Sequence, residues 1–205
     1  IYAAVSSGLF VSSDSGSKWH NILDSAVVLK DEAVEAFVLD PKSPERMYIS
    51  VAAPNKISRI LKTKGAGFYE VYSTAVSENK VTGLWIDSFD PSVLYAGTTK
   101  GLLLISKDFG ESWRVLKEFA GAIYDLEMVP SDTRILYLAA DGLIFKSVNQ
   151  GVSFEQIWQA VPTLTSINDL AIDFNNESTI YAATSRGLYQ SVNGGKLFGQ
   201  IKLPI

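Results

Sequence analysis

The sequence contains no cysteine and a single histidine, His20. Without cysteine, disulfide bridges, thiolate metal sites and a cysteine nucleophile are all excluded. Catalysis by a serine and a histidine would have to use His20, which follows Trp19 on a predicted outer strand, so we expect a surface histidine there. The residues therefore predict no metal site and no cofactor.

The sequence also lacks any strong basic patch or long apolar run. Its 205 residues carry a net charge of −4, which argues against a nucleic-acid partner, because phosphate-binding surfaces gather Lys and Arg. No apolar segment approaches the roughly 20 residues of a membrane span. The first residue is Ile1 rather than Met, which suggests a processed chain. We expect an extracellular or periplasmic protein whose signal peptide lies outside this chain.

The chain repeats one short strand five times, each time centred on a tyrosine. The tyrosines are 46, 47, 42 and 44 residues apart, and they are Tyr2, Tyr48, Tyr95, Tyr137 and Tyr181. A period near 45 is typical of one β-propeller blade. We therefore predict a single β-propeller domain over residues 1–205, with blades at about 1–33, 34–80, 81–122, 123–166 and 167–205.

Other positions keep register with these tyrosines and predict four antiparallel strands in each blade. An alternating apolar run ends at Asp40, Asp87, Val129 and Asp173, eight residues before four of the tyrosines. Pro41, Pro44, Pro91 and Pro130 follow, and we expect turns there because proline cannot donate to a sheet ladder. Tight hairpin turns come after the tyrosine strands, at Ser7-Gly8, Lys100-Gly101, Asp141-Gly142 and Arg186-Gly187.

The first blade departs from this pattern, because no inner strand precedes Ile1. Five blades of four antiparallel strands, the first lacking its inner strand, are the main interpretation of this all-β chain. The alternative is a fragment of a propeller with six to ten blades.

A turn with the pattern S-x-D-x-G-x-x-W joins the third and fourth strands of most blades. Asp, Asn and Ser side chains can bond nearby backbone amides, Gly allows a positive φ, and the aromatic ring can pack beneath the hairpin. Asp14 and Asp108 offer too few carboxylates for calcium, so we expect a structural role. The four Asp-box-like turns are Ser12, Asp14, Gly16 and Trp19; Ser106, Asp108, Gly110 and Trp113; Ser147, Asn149, Gly151 and Phe154; and Ser191, Asn193, Gly195 and Phe198.

These turns, together with the D-P-x-x-x-L-Y-A-G-T run that begins at Asp90, resemble the Asp-box (BNR-repeat) β-propeller superfamily over essentially the whole chain. The repeat is similar to those of sortilin-like propellers, of the photosystem II stability/assembly factor and of xyloglucan-hydrolysing enzymes. The resemblance implies a propeller fold with structural Asp boxes that lie away from the ligand face. It implies no particular activity, because one fold serves many functions.

Two aspartates offer the sharpest enzymatic hypothesis. Asp125 and Asp169 occupy equivalent positions near the starts of adjacent predicted inner strands. A carboxylate pair of this kind could serve a glycoside hydrolase acting on a polysaccharide. The other interpretation is that these aspartates bind loop amides at the strand starts.

The hairpin turns at the same end of the blades carry the binding candidates. They are Lys56, Lys100, Asp141 and Arg186, together with Trp158, which could stack on a sugar or a peptide or pack in the core. The main functional hypothesis is a non-catalytic binding or scaffold propeller that recognises a protein or glycan through this loop face. A glycoside hydrolase is the alternative.

Overall fold

The computed structural model describes residues 1–5, 8–23, 32–65, 67–160 and 165–202. Within these ranges the chain forms strands and turns and no helix. The strands are β1 (Tyr2–Val5), β2 (Gly8–Val11), β3 (His20–Asn21), β4 (Ala33–Asp40), β5 (Ser43–Ala52), β6 (Arg59–Lys64), β7 (Gly67–Ser73), β8 (Val81–Ile86), β9 (Leu94–Thr98), β10 (Leu102–Ser106), β11 (Arg114–Glu118), β12 (Ile123–Val129), β13 (Asp132–Ala140), β14 (Leu143–Ser147), β15 (Glu155–Gln159), β16 (Ile167–Ile172), β17 (Ile180–Thr184), β18 (Gly187–Ser191) and β19 (Gly199–Gln200).

The strands form five sheets, in each of which neighbours along the chain are hydrogen-bonded neighbours in the sheet. The orders are β1-β2-β3, β4-β5-β6-β7, β8-β9-β10-β11, β12-β13-β14-β15 and β16-β17-β18-β19. The prediction of four-stranded antiparallel repeats is confirmed, and so is the lack of an inner strand in the first sheet among the described residues.

The second and third strands are joined by tight hairpins whose residues match the sequence signals. Asp141 and Gly142 have φ angles of 49° and 73°, the positive values that a two-residue hairpin turn requires. Ser7 of the predicted first hairpin lies outside the described residues, as does Ala66 of the degenerate second Asp-box segment. One turn prediction was wrong: Pro44 lies inside β5, where an irregularity between the Leu39–Met47 and Asp40–Ser43 pairs accommodates it.

Each of the four described inner strands carries a β-bulge near its start. The ladder shifts register between residues 34 and 36, 81 and 83, 123 and 125, and 167 and 169. The extra residues at these bulges are Glu35, Thr82, Tyr124 and Asn168. Because a bulge re-aims a side chain, these four positions differ from the alternating pattern on either side.

The chain divides into two compact units. Unit 1 comprises Ile1–Thr99 and Leu104–Arg114, and unit 2 comprises Lys100–Leu103 and Val115–Ile205. Each unit has its own apolar core: one forms around Leu9, Ile49 and Val51, and the other around Tyr137, Ile144 and Leu170. The cores lie between consecutive sheets, as expected for strands with apolar residues on both faces.

The described residues form no helix with the length and hydrophobicity needed to traverse a bilayer.

Candidate functional site

The four Asp-box-like turns share one set of hydrogen bonds. In each, the glycine amide donates to the serine Oγ over 2.8–3.0 Å. The Asp or Asn Oδ1 accepts from the amide four residues later, over 2.8–3.0 Å. The Ser112 hydroxyl and amide hold the pKa of Asp108 below its usual range. The same two hydrogen bonds recur in all four turns, and both lie within the turn itself. Such bonds stabilise the turn locally.

Asp125 is the most buried acidic side chain described in unit 2, with 8% of its surface exposed. Its Oδ1 accepts a hydrogen bond from the Leu126 amide and its Oδ2 accepts one from the Leu170 amide, both over 2.8 Å. Leu126 lies on β12 and Leu170 on β16, so the carboxyl group ties two adjacent inner strands together. For Asp125 this is an amide-binding role, with amides of two strands in place of the predicted loop amides.

Asp169 is exposed, and its carboxyl group neighbours that of Asp125. Burial raises the pKa of Asp125 to about 6; the two amide bonds oppose this rise, and the neighbouring Asp169 carboxyl reinforces it. The two aspartates that the sequence placed on adjacent strands are therefore neighbours in the structure.

A third carboxyl group, that of Glu127, completes what we call the carboxylate cluster (Asp125, Glu127 and Asp169). Burial raises the pKa of Glu127 to about 7, and the negative charges of the two aspartates contribute further. Sequence analysis missed Glu127, although it stands two residues after Asp125 and hence on the same side of β12. No group of three or more metal-ligating side chains forms a metal site among the described residues.

The backbone bonds of Asp125 bear on whether the carboxylate cluster could serve a glycoside hydrolase. In such enzymes one carboxyl group donates a proton to the scissile bond and the other acts as nucleophile or base. Asp125 instead has each of its two oxygens bonded to a backbone amide. These two bonds give its carboxyl group a structural role between β12 and β16.

Tyr124 and Asn168 occupy the bulges directly before Asp125 and Asp169. Tyr124 is 47% exposed, and Asn168 is exposed with its Oδ1 accepting a hydrogen bond from Ser166 Oγ at 2.9 Å. Because Asp125 binds the Leu170 amide, the two bulges lie at the same level of the adjacent strands. Sequence analysis missed both residues, although a buried Ile precedes each of them, at Ile123 and Ile167.

The predicted binding residues of the hairpin turns are all exposed. Lys100, Asp141 and Arg186 belong to unit 2, and Lys56 belongs to unit 1. In a meander the turn between the second and third strands lies at the end where the inner strand begins. Asp141 shows this directly, because a Cβ placed on Gly121, just before β12, would lie 2.6 Å from the Asp141 Cβ.

Trp158 is half-buried against the apolar core of unit 2. Its ring centroid lies 5.0 Å from that of Tyr189 and 4.9 Å from that of Phe198. Of the two interpretations that the sequence allowed for Trp158, this contact favours core packing over a stacking surface for a ligand.

Comparisons with protein-family models and with curated proteins find no match for the chain. Solved structures do match. A GH74 enzyme from Niastella koreensis aligns over 94% of this chain with a TM-score of 0.74 and 21% identity. The extracellular domain of a putative one-component system from B. thetaiotaomicron aligns over 99% with a TM-score of 0.74 and 15% identity. YCF48 from Cyanidioschyzon merolae aligns over 94% with a TM-score of 0.64 and 12% identity.

The chain spans only part of each of these proteins: 34% of the GH74 enzyme, 26% of the one-component-system domain and 61% of YCF48. At these identities the likeness concerns the fold. Together with the five antiparallel meanders, it identifies the chain as an all-β protein with a β-propeller fold.

Proposed function

We propose that this chain is a non-catalytic binding module that recognises a protein or glycan ligand at the end of unit 2 where the inner strands begin. The recognition patch comprises Tyr124, Asn168 and Asp169, with Lys100, Asp141 and Arg186 on the neighbouring hairpin turns. Exposed aromatic, amide and carboxylate groups together can stack on and hydrogen-bond to a polar ligand.

The observation that carries the proposal is the exposed ring of Tyr124 on its bulge, next in the chain to Asp125, whose carboxyl group is bonded to two backbone amides. An exposed large aromatic side chain on a rigid inner strand gains most from a ligand that covers it. Asp125 supports this position by bonding both oxygens to β12 and β16, so the backbone beneath Tyr124 and Asn168 is fixed before a ligand arrives.

A combined glycan and peptide array tests the proposal. We expect Tyr124→Ala to abolish binding of the ligand that the unaltered chain selects, and Lys100→Glu and Arg186→Glu to weaken it. Lys196→Glu reverses an exposed charge within an Asp-box-like turn and serves as the matched control, with binding unchanged. Binding that is indifferent to Tyr124→Ala and to both charge reversals would remove this patch from consideration.

A glycoside hydrolase is the second candidate, with Asp125 and Asp169 as its carboxylate pair. The raised pKa values of Asp125, about 6, and Glu127, about 7, favour it, since acid catalysts near neutral pH need such values. The likeness to a GH74 enzyme points the same way. The two backbone amide bonds of Asp125 support the binding module instead.

Polysaccharide hydrolysis assays separate the two candidates. The binding module predicts no turnover that depends on the carboxylate cluster, so Asp169→Asn should leave any background rate unchanged. A rate lost in both Asp125→Asn and Asp169→Asn chains that still fold would establish the hydrolase.

We propose an extracellular or periplasmic location for the protein. One structural neighbour is itself an extracellular domain, which supports this location. Fractionation of cells expressing the full-length gene with an epitope tag tests the proposal, and recovery of the tag in the cytosol alone would contradict it.

A further inference from the structure

The Asp-box-like turn of the third sheet borders a small groove. The groove has a volume of about 230 Å³ and is lined by Ile105, Lys107, Asp108, Ser112, Trp113 and Arg114. All of these residues belong to unit 1, so the groove is formed within one unit. Its volume is below the roughly 300–1,000 Å³ of pockets for drug-sized ligands, so it has room for one small ring-shaped group.

Two of the lining residues, Lys107 and Arg114, are cations without an ion-pair partner in the structure. Both side chains are exposed, and neither forms an ion pair with a described carboxylate. An ammonium and a guanidinium group are the strongest side-chain donors for carboxylate and sulfate groups. The groove therefore offers two donors of this kind to a ligand.

The Asp108 carboxylate also lines the groove, and the turn itself already supplies its hydrogen bonds. Its Oδ1 accepts from Ser106 Oγ at 2.8 Å and from the Ser112 amide at 2.9 Å. Its Oδ2 accepts from Ser112 Oγ at 2.5 Å. One negative and two positive charges leave the lining with a net charge of +1, which favours an anionic ligand.

Trp113 provides an apolar surface beside these charges. Its Nε1 donates to the Gly110 carbonyl oxygen at 3.0 Å, and its ring centroid lies 6.4 Å from that of Tyr72. These two contacts fix the orientation of the indole, which is only partly buried. A fixed aromatic surface can pack against the C–H face of a sugar ring at little cost in conformational entropy.

The other Asp-box-like turns lack this pair of cations at the equivalent positions, which directly follow the serine and the aromatic residue. Those positions hold Ser13 and His20, Val148 and Glu155, and Val192 and Gly199. All four turns nevertheless form the same internal hydrogen bonds. The turn therefore folds without cations at these positions, and Lys107 and Arg114 are available for another role.

We propose that this groove binds an acidic saccharide, one whose sugar ring carries a carboxylate or a sulfate group. The Trp113 indole packs against the sugar ring, while Lys107 and Arg114 donate to the anionic group. The Ser112 hydroxyl, which donates to Asp108, accepts a hydrogen bond from a sugar hydroxyl. This site shares no residue with the recognition patch of unit 2.

Nuclear magnetic resonance of the nitrogen-labelled chain tests the ligand class through the indole N–H signal of Trp113, which a Trp113→Phe chain identifies. Glucuronic acid or glucose 6-sulfate should shift this signal, and the stronger shift identifies the anionic group that the groove prefers. Neutral glucose should bind at least about tenfold more weakly, because it lacks the charge-assisted hydrogen bonds. Equal affinity for glucose, no shift with either charged sugar, or tighter binding of a short polyglutamate peptide would overturn the proposal.

Substitution of the two cations tests the site. Lys107→Ala and Arg114→Ala should each weaken binding of the charged sugar about tenfold, as expected for one charge-assisted hydrogen bond. Both positions are exposed, so urea denaturation should show little change in stability. Lys117→Ala, which removes an exposed lysine of β11 outside the groove, is the matched control and should leave binding unchanged.

Tyr124→Ala should also leave this binding unchanged, so the test is independent of the proposed recognition patch of unit 2. Binding that survives the double variant Lys107→Ala/Arg114→Ala, or that Lys117→Ala weakens to the same extent, would overturn the proposal.

Discussion

The inner strands of the two units have the same bulged backbone but different side chains at equivalent positions. Where unit 2 has Asp125 and Asp169, the equivalent residues of unit 1 are Ala36 and Gly83. The Trp85 ring covers Gly83 closely, since a Cβ on Gly83 would lie 2.1 Å from Trp85 Cη2. In unit 1 the Trp85 ring fills the space next to Gly83 near the strand start. In unit 2 the equivalent positions are occupied by aspartates.

The bulges show the same contrast. In unit 1, Glu35 is paired with Lys80 over 2.8 Å. In unit 2, Tyr124 projects an exposed ring and Asn168 an exposed amide. The comparison shows that the repeat sets the position of a side chain, while the identity of that side chain decides whether it packs, forms an ion pair or is exposed.

The largest change in stability should come from placing aspartate, the residue found in unit 2, at position 83 of unit 1. We expect Gly83→Asp to lower the free energy of unfolding by about 3 kcal/mol, because the Trp85 ring must move and a carboxylate becomes buried. Urea denaturation measures the change. The reverse substitution, Asp169→Gly at an exposed position, should cost less than about 1 kcal/mol, and equal losses would contradict the proposed difference between the units.

Asp125→Ala should destabilise the chain by about 2 kcal/mol, since the Leu126 and Leu170 amides lose their acceptor. Asp125→Asn keeps one acceptor oxygen and should cost less. Thermal unfolding followed by circular dichroism compares the two variants with Asp169→Ala, which breaks neither amide bond. A loss in Asp169→Ala as large as in Asp125→Ala would show that the amide contacts are not the stabilising element.

Glu127→Gln should stabilise the chain at high pH and have no effect at low pH. Because the pKa of Glu127 is raised from 4.5 to about 7 by folding, the folded state binds its proton more tightly, and stability falls as pH rises through this window. Glutamine carries no charge and does not undergo this loss, so a gain of about 3 kcal/mol should develop between pH 4.5 and 7 and persist above it. Denaturation at several pH values measures the gain.

Exposed Glu155 supplies the control for that experiment through the same Glu-to-Gln change. A gain at Glu127 that is independent of pH would attribute the effect to packing rather than to charge.

The smallest effect on stability is expected at the bulges. Tyr124→Ala should change the free energy of unfolding by less than about 1 kcal/mol, because nearly half of the residue's surface is exposed. Thr82→Ala is the matching change in unit 1, and only Tyr124→Ala should abolish binding to the array ligand. Loss of binding in both variants would assign recognition to the backbone of the bulge rather than to the aromatic ring.

The sequence predicted the strands and turns because each is encoded locally. Alternating apolar residues define β12 and β16, and Ser, Asp and Gly at fixed spacing define turns such as Ser106–Gly110 through bonds within five residues. The pattern also placed Asp125 and Asp169 on adjacent strands, where the structure has them as neighbours.

The remaining features depend on partners far along the chain. The bulge at Tyr124 adds one residue to β12, so the residues after it face the opposite side of the sheet from the one that simple alternation predicts. The local residue propensities do not reveal this extra residue. The second amide bound by Asp125 belongs to Leu170, 45 residues away, and the packing of Trp158 depends on Phe198 of the next sheet. Such contacts exist only after the sheets have stacked.

In each unit, a tyrosine hydroxyl donates a hydrogen bond to the turn of the next sheet, as Tyr48 does to Phe109 and Tyr137 does to Gly194. These bonds also determine how local unfolding spreads from one sheet to the next. One sheet holds the turn of its successor, so stability resembles a chain of nearest-neighbour couplings. Removing the hydroxyl of Tyr137 should speed amide hydrogen exchange around Gly194 while leaving the hydrogen bonds inside that turn in place. In the two described cases, a tyrosine of one sheet and a glycine-containing turn of the next thus join neighbouring repeats directly.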